Sequence, residues 1–371
     1  MSRARIGIIG AGFWASYFYL PYLRDREDAE CVGVVRPGAD ALAALRGAFD
    51  LPLATEDVSE LLAAGCDAVI VSSPNHLHRE HAEAALRAGA HVLIEKPMTV
   101  TLEDAEALAA VATETGRLLT VAHGYNYLSI ARWANDVVAG GTLGRLSWLD
   151  AQMASSLTNL FSGREGYGVI DVGGFPVEAS PETWARRENG GGYLYGQLTH
   201  QLGLVLPLVD SPPREVFARL DLLGSGVDIA CVVSVEFENG AIGSFTGHGR
   251  MPWNTRGPLG VRLSGEGGVM TLDFERERAD VAVQHGDSAR DDDVGERHRA
   301  FDTERADLQL ALEPGAGLYN CEGPISLLID TCNGVPAVDR APAIVGVRSV
   351  AIVEAAWRSA TERRAIAVGV A

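Results

Sequence analysis

The chain has 371 residues, 47% of them hydrophobic and 22% charged, enough for two globular domains with a large core. Its 49 acidic and 31 basic side chains leave a formal charge of −18, which argues against nucleic acid or an anionic membrane as partner. No apolar run reaches the length of a membrane span, no signal peptide opens the chain, and the scattered cysteines (31, 66, 231, 321 and 332) lack C-x-x-C spacing. A cytoplasmic protein with buried free thiols is expected.

An apolar run, residues 6–9, stops at Gly10, and Gly10, Gly12 and Ala15 follow as G-x-G-x-x-A. Residues 15–24 then read as a helix and 31–35 as a second strand. Gly10 would allow the sharp turn, Gly12 would let a pyrophosphate approach the backbone, and Ala15 would let the helix pack close to the sheet. Free N–H groups at the helix start, beside Phe13 and Trp14, would face the phosphates. Where the second strand ends, a site for the unphosphorylated cofactor usually offers an acid to the ribose 2′-hydroxyl. This chain offers Arg36, with Asp40 a few residues later. A guanidinium there can pair with a 2′-phosphate, stack on the adenine or point to solvent. NAD and NADP both stay open, with a lean towards tolerance of NADP.

Residues 39–49 and 58–64 read as helices, 67–73 as a buried strand, 74–78 as a turn and 79–88 as a helix closed by Gly89. Residues 90–94 form a strand ending in Glu95-Lys96-Pro97. Residues 102–115 form a helix capped by Thr101, and 118–122 one more strand. Strands alternating with helices predict a Rossmann-type, doubly wound parallel sheet over residues 1–123. Beyond His123 the rhythm changes. Residues 130–139 and 193–209 read as helices, and strand-like runs fall at 146–154, 216–223, 229–237, 241–247, 260–264 and 269–274. Residues 124–371 are therefore expected to form an α+β domain with a mostly antiparallel open sheet. The outer face of that sheet needs a cover, so a homodimer or homotetramer through it is expected. Residues 287–305 are charged and read as a solvated loop; 325–332 and 345–358 return to helix.

Three points stand at the carboxyl ends of predicted parallel strands, where ligands bind in such sheets: Ser72 to Asn75, Glu95 to Pro97, and Ala122-His123. A lysine ending a buried strand could polarise a hydroxyl or carbonyl for hydride transfer, or exchange a proton. It could equally snorkel to solvent or pair with Glu95. His76, His78 and His81 lack a strong metal-ligand spacing, and no metal is expected. Asn75 and His78 are better placed to touch the ribose or nicotinamide end of a cofactor. After Gly190-Gly191-Gly192, Tyr193, Gln197 and His200 fall at i, i+4 and i+7 of a helix and would share a face that could meet Lys96. A packed, hydrogen-bonded His200 on an apolar helix is the plainer alternative.

At these residues the chain resembles the glucose–fructose oxidoreductase/inositol dehydrogenase (Gfo/Idh/MocA) family over nearly its whole length. The markers are Gly10-Ala-Gly12, Ser73-Pro-Asn75 with His78, Glu95-Lys96-Pro97, His123-Gly-Tyr-Asn126, Gly141-Thr-Leu-Gly144, and Gly190-Gly-Gly192 with His200. The resemblance implies a nicotinamide dinucleotide on the first domain and a sugar, cyclitol or related polyol as substrate. It implies that Lys96 orients substrate and nicotinamide, and that an aspartate and a histidine, four apart, bind the substrate and exchange its proton. Here the residue four before His200 is Gly196. Tyr193, Tyr195, Gln197 or a water would have to fill that gap, or His200 would act alone as the base.

The resulting expectation is an NAD(P)-dependent oxidoreductase acting on a carbinol or ketone carbon. Lys96 and His200 would be catalytic. Gly10, Gly12, Phe13, Trp14, Arg36, Ser73, Asn75, His78, Glu95 and Lys96 would line the cofactor. Tyr125, Tyr193 and Gln197 would join Lys96 and His200 around the substrate. The rivals are a redox-assisted lyase or glycoside-cleaving enzyme with tightly held NAD, and a non-catalytic nucleotide- or sugar-binding protein.

Overall fold

The computed structural model describes residues 3–252, 255, 257–276, 278–283, 297–299 and 321–369. The first sheet contains β1 (Ala4–Ile9), β2 (Ala29–Val35), β3 (Ala54–Thr55), β4 (Ala68–Val71), β5 (His91–Ile94) and β6 (Leu119–Val121). All its pairings are parallel, in the order β3-β2-β1-β4-β5-β6. β4 is buried along its whole length. A strand covered on both faces carries an apolar run without alternation, as Ala68 to Val71 does. The expected doubly wound sheet is therefore present.

The first helix departs from the even helix expected over 15–24. A π-turn, Ala15–Tyr19, leads into an α-helix, Leu20–Arg24. Pro21 supplies the reason. It has no N–H for the carbonyl four residues back, and its ring needs room against that carbonyl.

The second sheet holds β7 (Leu146–Ala154), β10 (Pro213–Asp221), β11 (Ala230–Phe237), β12 (Ile242–His248), β13 (Leu259–Gly265), β14 (Gly268–Asp273), β15 (Arg278–Val283), β16 (Arg297–Arg299) and β17 (Ile366–Ala367). It is antiparallel except where β7 lies parallel to β12. Of the charged stretch 287–305, residues 297–299 form β16 at the sheet edge; the rest lies outside the described residues. The helix Thr199–Val209 packs on the inner face and is buried almost throughout. Its Pro207 cannot donate to the carbonyl of Gly203, and Asn126 Nδ2 fills that place at 2.9 Å.

A hairpin not anticipated from the sequence, β8 (Tyr167–Val172) and β9 (Phe175–Ala179), turns at Gly173-Gly174. Val172 and Val177 join the core around the first helix and Leu45. The two last helices also reach back. Ile325, Leu328 and Ile329 of Glu322–Cys332 enter that same core. The helix Ala343–Glu362 places Val347, Val350 and Ala351 against the first sheet, and Ile352, Val353 and Ala356 in the core of the second. It therefore fastens the two sheets together. Among the described residues no helix is long and apolar enough to cross a membrane.

Candidate active site

Strand order reverses between β1 and β4, so the ligand crevice lies beyond their carboxyl ends. Gly10, at φ 95°, turns the chain out of β1. The N–H groups of Gly10 and Ala11 donate to Val35 O at 2.8 and 3.1 Å. A Cβ on Gly10 would lie 2.1 Å from Ser73 N, so the two strand ends touch through main chain. Gly12 differs: a Cβ there would meet nothing nearer than Gly10 O at 4.0 Å. The space above the turn stays open, which fits a pyrophosphate approaching the backbone. Arg36 lies alongside, its Nη1 donating to Ala11 O at 3.2 Å. Half burial lowers its pKa, but a guanidinium remains charged.

Phe13 stacks on Tyr17 at 5.8 Å and packs against Gly168 of the β8–β9 hairpin. Trp14 is half-buried beside it, with ring centroids 6.1 Å apart. Glu95, buried at the end of β5, accepts hydrogen bonds from Tyr19 Oη, from Trp14, and from the main-chain N–H of Lys96 at 3.1 Å. Burial pushes its pKa up against those donors and the neighbouring Lys96.

His78 needs correction as a cofactor residue. Its ring is fully buried, with Nδ1 2.8 Å from Pro97 O and Nε2 2.9 Å from Ser73 O. It lies between the loops after β4 and β5, donates to one of these carbonyls in its neutral form, and has both ring nitrogens turned towards main chain. Burial pushes its pKa down to about 4, against the pull of the two carbonyls. Ser73 Oγ meets His81 Nδ1 at 2.9 Å, and Asn75 Nδ2 donates to Gly190 O at 3.0 Å. Asn75 thereby joins the first domain to the glycine stretch of the second.

Lys96 and His200 come together across the two domains. The Lys96 ammonium is buried and donates to Gly196 O at 2.8 Å, one turn before His200. Burial lowers its pKa, and Glu95 works in the opposite direction. His200, 6% exposed, is held well below its usual pKa by burial, then by the charge of Lys96 and by the neighbouring His123 ring. Such an imidazole stays neutral at rest. The ring of Tyr125 stands edge-on to it, with centroids 5.3 Å apart.

His123 stands at one of the three expected strand ends, though no catalytic, cofactor or substrate role is expected of it from the sequence. It lies 2% exposed between Lys96 and Gly203, where a Cβ on Gly203 would come 2.4 Å from its Nδ1. Burial and then Lys96 push its pKa down to about 3. The unfolded chain therefore binds this proton first, near pH 6.5, and stability falls as pH drops below that value. Denaturant melts at pH 7 and pH 5 should differ by about 2 kcal/mol on account of this group. His123→Gln should remove that part of the difference. An unchanged pH dependence in the variant would show that His123 is not buried in its neutral form.

Tyr193 is also corrected. It is fully buried and its hydroxyl donates to Met153 O at 2.7 Å, so it fills the core of the second domain and does not reach the substrate. The shared face expected for Tyr193, Gln197 and His200 is broken by a π-turn, Leu194–Leu198, which changes the angular spacing. Gln197 is half-buried on that turn. Tyr195 Oη donates to Val100 O at 2.8 Å, away from the gap at Gly196. Phe161 and Trp184 occupy that gap instead, at 3.0 and 3.3 Å from where a Cβ of Gly196 would stand. Another residue missed in the sequence is Asp228. Its fully buried carboxylate accepts from Leu194 N at 2.8 Å and so anchors the turn that carries the site. Burial raises its pKa to about 7. Only the tertiary pairing of Leu194 with Asp228 reveals that role.

The family model described as an oxidoreductase family with an NAD-binding Rossmann fold matches residues 4–123. The GFO/IDH/MocA C-terminal domain matches residues 131–271. The chain belongs to the Gfo/Idh/MocA family of NAD(P)-dependent oxidoreductases. This family member is 30% identical to a 1,5-anhydro-D-fructose reductase of Ensifer adhaerens, over 65% of its own length and 68% of the reductase. It is 36% identical to the NADP+-dependent scyllo-inositol 2-dehydrogenase of Bacillus subtilis, over 36% of its own length and 35% of that enzyme. In fold it matches the WlbA dehydrogenase of Bordetella pertussis, solved with NADH and UDP-GlcNAcA, with a TM-score of 0.73. Identity there is 20%, and all of both chains is covered.

Proposed function

We propose that this chain moves a hydride between a nicotinamide ring and a carbinol or ketone carbon of a sugar, cyclitol or related polyol. The observation that carries the reading is the meeting of the buried Lys96 ammonium and the buried, neutral His200 at the end of β5. The nicotinamide dinucleotide supplies or accepts the hydride when bound; Gly10, Gly12 and Arg36 are the residues that would hold its pyrophosphate and ribose. Lys96 donates to the substrate oxygen and stabilises its negative charge as the ketone is reduced. His200, neutral at rest, accepts the carbinol proton in the oxidising direction, and only the imidazolium so formed can return it in the reducing direction. The domain boundary in this reading follows His123, and the copies associate through the outer face of the second sheet. A monomer by light scattering would contradict that association.

Arg36 supports tolerance of the phosphorylated cofactor, and the NADP+-dependent inositol enzyme among the relatives agrees with it. Fluorescence titration with NADPH and NADH, followed by turnover on a panel of polyols, tests both points. Arg36→Ala should weaken NADPH by about 10- to 100-fold and leave NADH nearly unchanged. Equal loss of both cofactors would remove Arg36 from 2′-phosphate recognition. Binding of neither by the unaltered protein would overturn the hydride-transfer reading.

A further inference from the structure

Lys96 is the only lysine in the chain; the other 30 of its 31 basic side chains are arginine. Among the described residues its Nζ has one hydrogen-bond acceptor, Gly196 O at 2.8 Å. Its other close neighbour is an aromatic face. The ring centroid of Trp184 lies 5.4 Å from Nζ, within the range at which the electron-rich face of an indole attracts a cation.

Gly196 and Trp184 are matched to each other. A Cβ at 196 would stand tightly at 3.0 Å from Phe161 and 3.3 Å from Trp184. Those two rings lie 6.5 Å apart, inclined at 53°. The space beside the ammonium is therefore filled by aromatic carbon. Trp184 is fixed in turn by the glycine stretch. Gly192 N donates to Trp184 O at 3.0 Å, and a Cβ on Gly191 would lie 2.4 Å from that oxygen. Two of the three glycines thus seat the backbone of Trp184.

The titratable groups facing Lys96 are Glu95 from its own strand end, His123 after β6, His200 on the second-domain helix and Cys321 at the head of Glu322–Cys332. Glu95 favours the ammonium by its charge, but its oxygens are taken by Tyr19 and by the Lys96 main chain. Cys321 also favours the ammonium, and the two imidazoles are held neutral.

We propose that Trp184 is a positioning residue for Lys96: its indole face and the Gly196 carbonyl hold the ammonium charged and aimed across the cleft. Of its three N–H groups, one is spent on Gly196 and one faces the ring, which leaves one for the substrate oxygen. That last assignment rests on the hydride-transfer reading; the placement of the ammonium does not.

The single lysine makes the test direct. Protein grown on lysine carrying 13C at the ε position gives one lysine methylene signal. In the unaltered protein this signal should be shifted upfield by the indole ring current. Trp184→Leu should abolish that shift and lower the midpoint of the Lys96 titration by about one pH unit, because the charged form loses its π partner. Trp184→Phe should keep part of both effects. The alkaline limb of the kcat/KM profile should move with the titration. No ring-current shift in the unaltered protein, or a titration unchanged in both variants, would overturn the proposal, and the first of these needs no variant to fold. The expected signals without turnover of any polyol would uphold the placement and refute hydride transfer alone.

Discussion

Lys96→Met is expected to bind reduced nicotinamide cofactor as the unaltered protein does and to lose turnover by about 10²- to 10⁴-fold. Methionine keeps much of the apolar stem and removes the N–H groups, so packing against Trp184 changes little while the oxyanion loses its donor. The loss should fall on kcat and kcat/KM together, because the charge on the oxygen develops only on the way to the transition state. Lys96→Arg should not restore activity. A guanidinium does not give up its proton, and its planar fork does not fit a pocket shaped around one ammonium and one carbonyl. Stopped-flow measurement of hydride transfer with separately measured cofactor binding decides the matter. Unchanged turnover in the methionine variant would remove Lys96 from the mechanism, whereas lost cofactor binding would make its role one of fastening the site.

Gly10→Ala is expected to be the most damaging single methyl group in the first domain. The added Cβ would stand 2.1 Å from Ser73 N and 2.4 Å from Ser72 C, and neither atom belongs to a side chain that can swing away. The residue also holds φ 95°, which an L side chain adopts only under strain. Overpacking and strain together come to about 3–5 kcal/mol, a large part of the stability of an ordinary domain. A fall of the denaturation midpoint with loss of cofactor binding is the expected result. Gly12→Ala should behave differently, because its Cβ would enter open space. It should fold normally and weaken only the cofactor. Equal destabilisation by both changes would refute the separate roles given to the two glycines.

The dinucleotide turn, the parallel sheet and Lys96 were legible in the sequence because each depends on near neighbours. An apolar run ending at Gly10 or at Glu95 marks a strand end wherever the rest of the chain goes. The β8–β9 hairpin has its local sign in Gly173-Gly174, both at positive φ, between two short runs. The π-turns could be anticipated only at Pro21, whose missing N–H disturbs the helix locally. At Leu194–Leu198 the helical spacing of Tyr193, Gln197 and His200 gave the wrong face.

By itself the amino-acid sequence determined the Rossmann unit, the second, mostly antiparallel sheet and the family markers, all of them patterns carried by residues close in the chain. Only the tertiary structure decided that His78 lies between two loops, that Tyr193 is core, and that Phe161 and Trp184 fill the space beside Gly196. These roles depend on which carbonyls and rings lie within a few ångströms of a side chain. Such distances are set by the packing of residues far apart in sequence, as in the bond from Lys96 to Gly196 that closes the site.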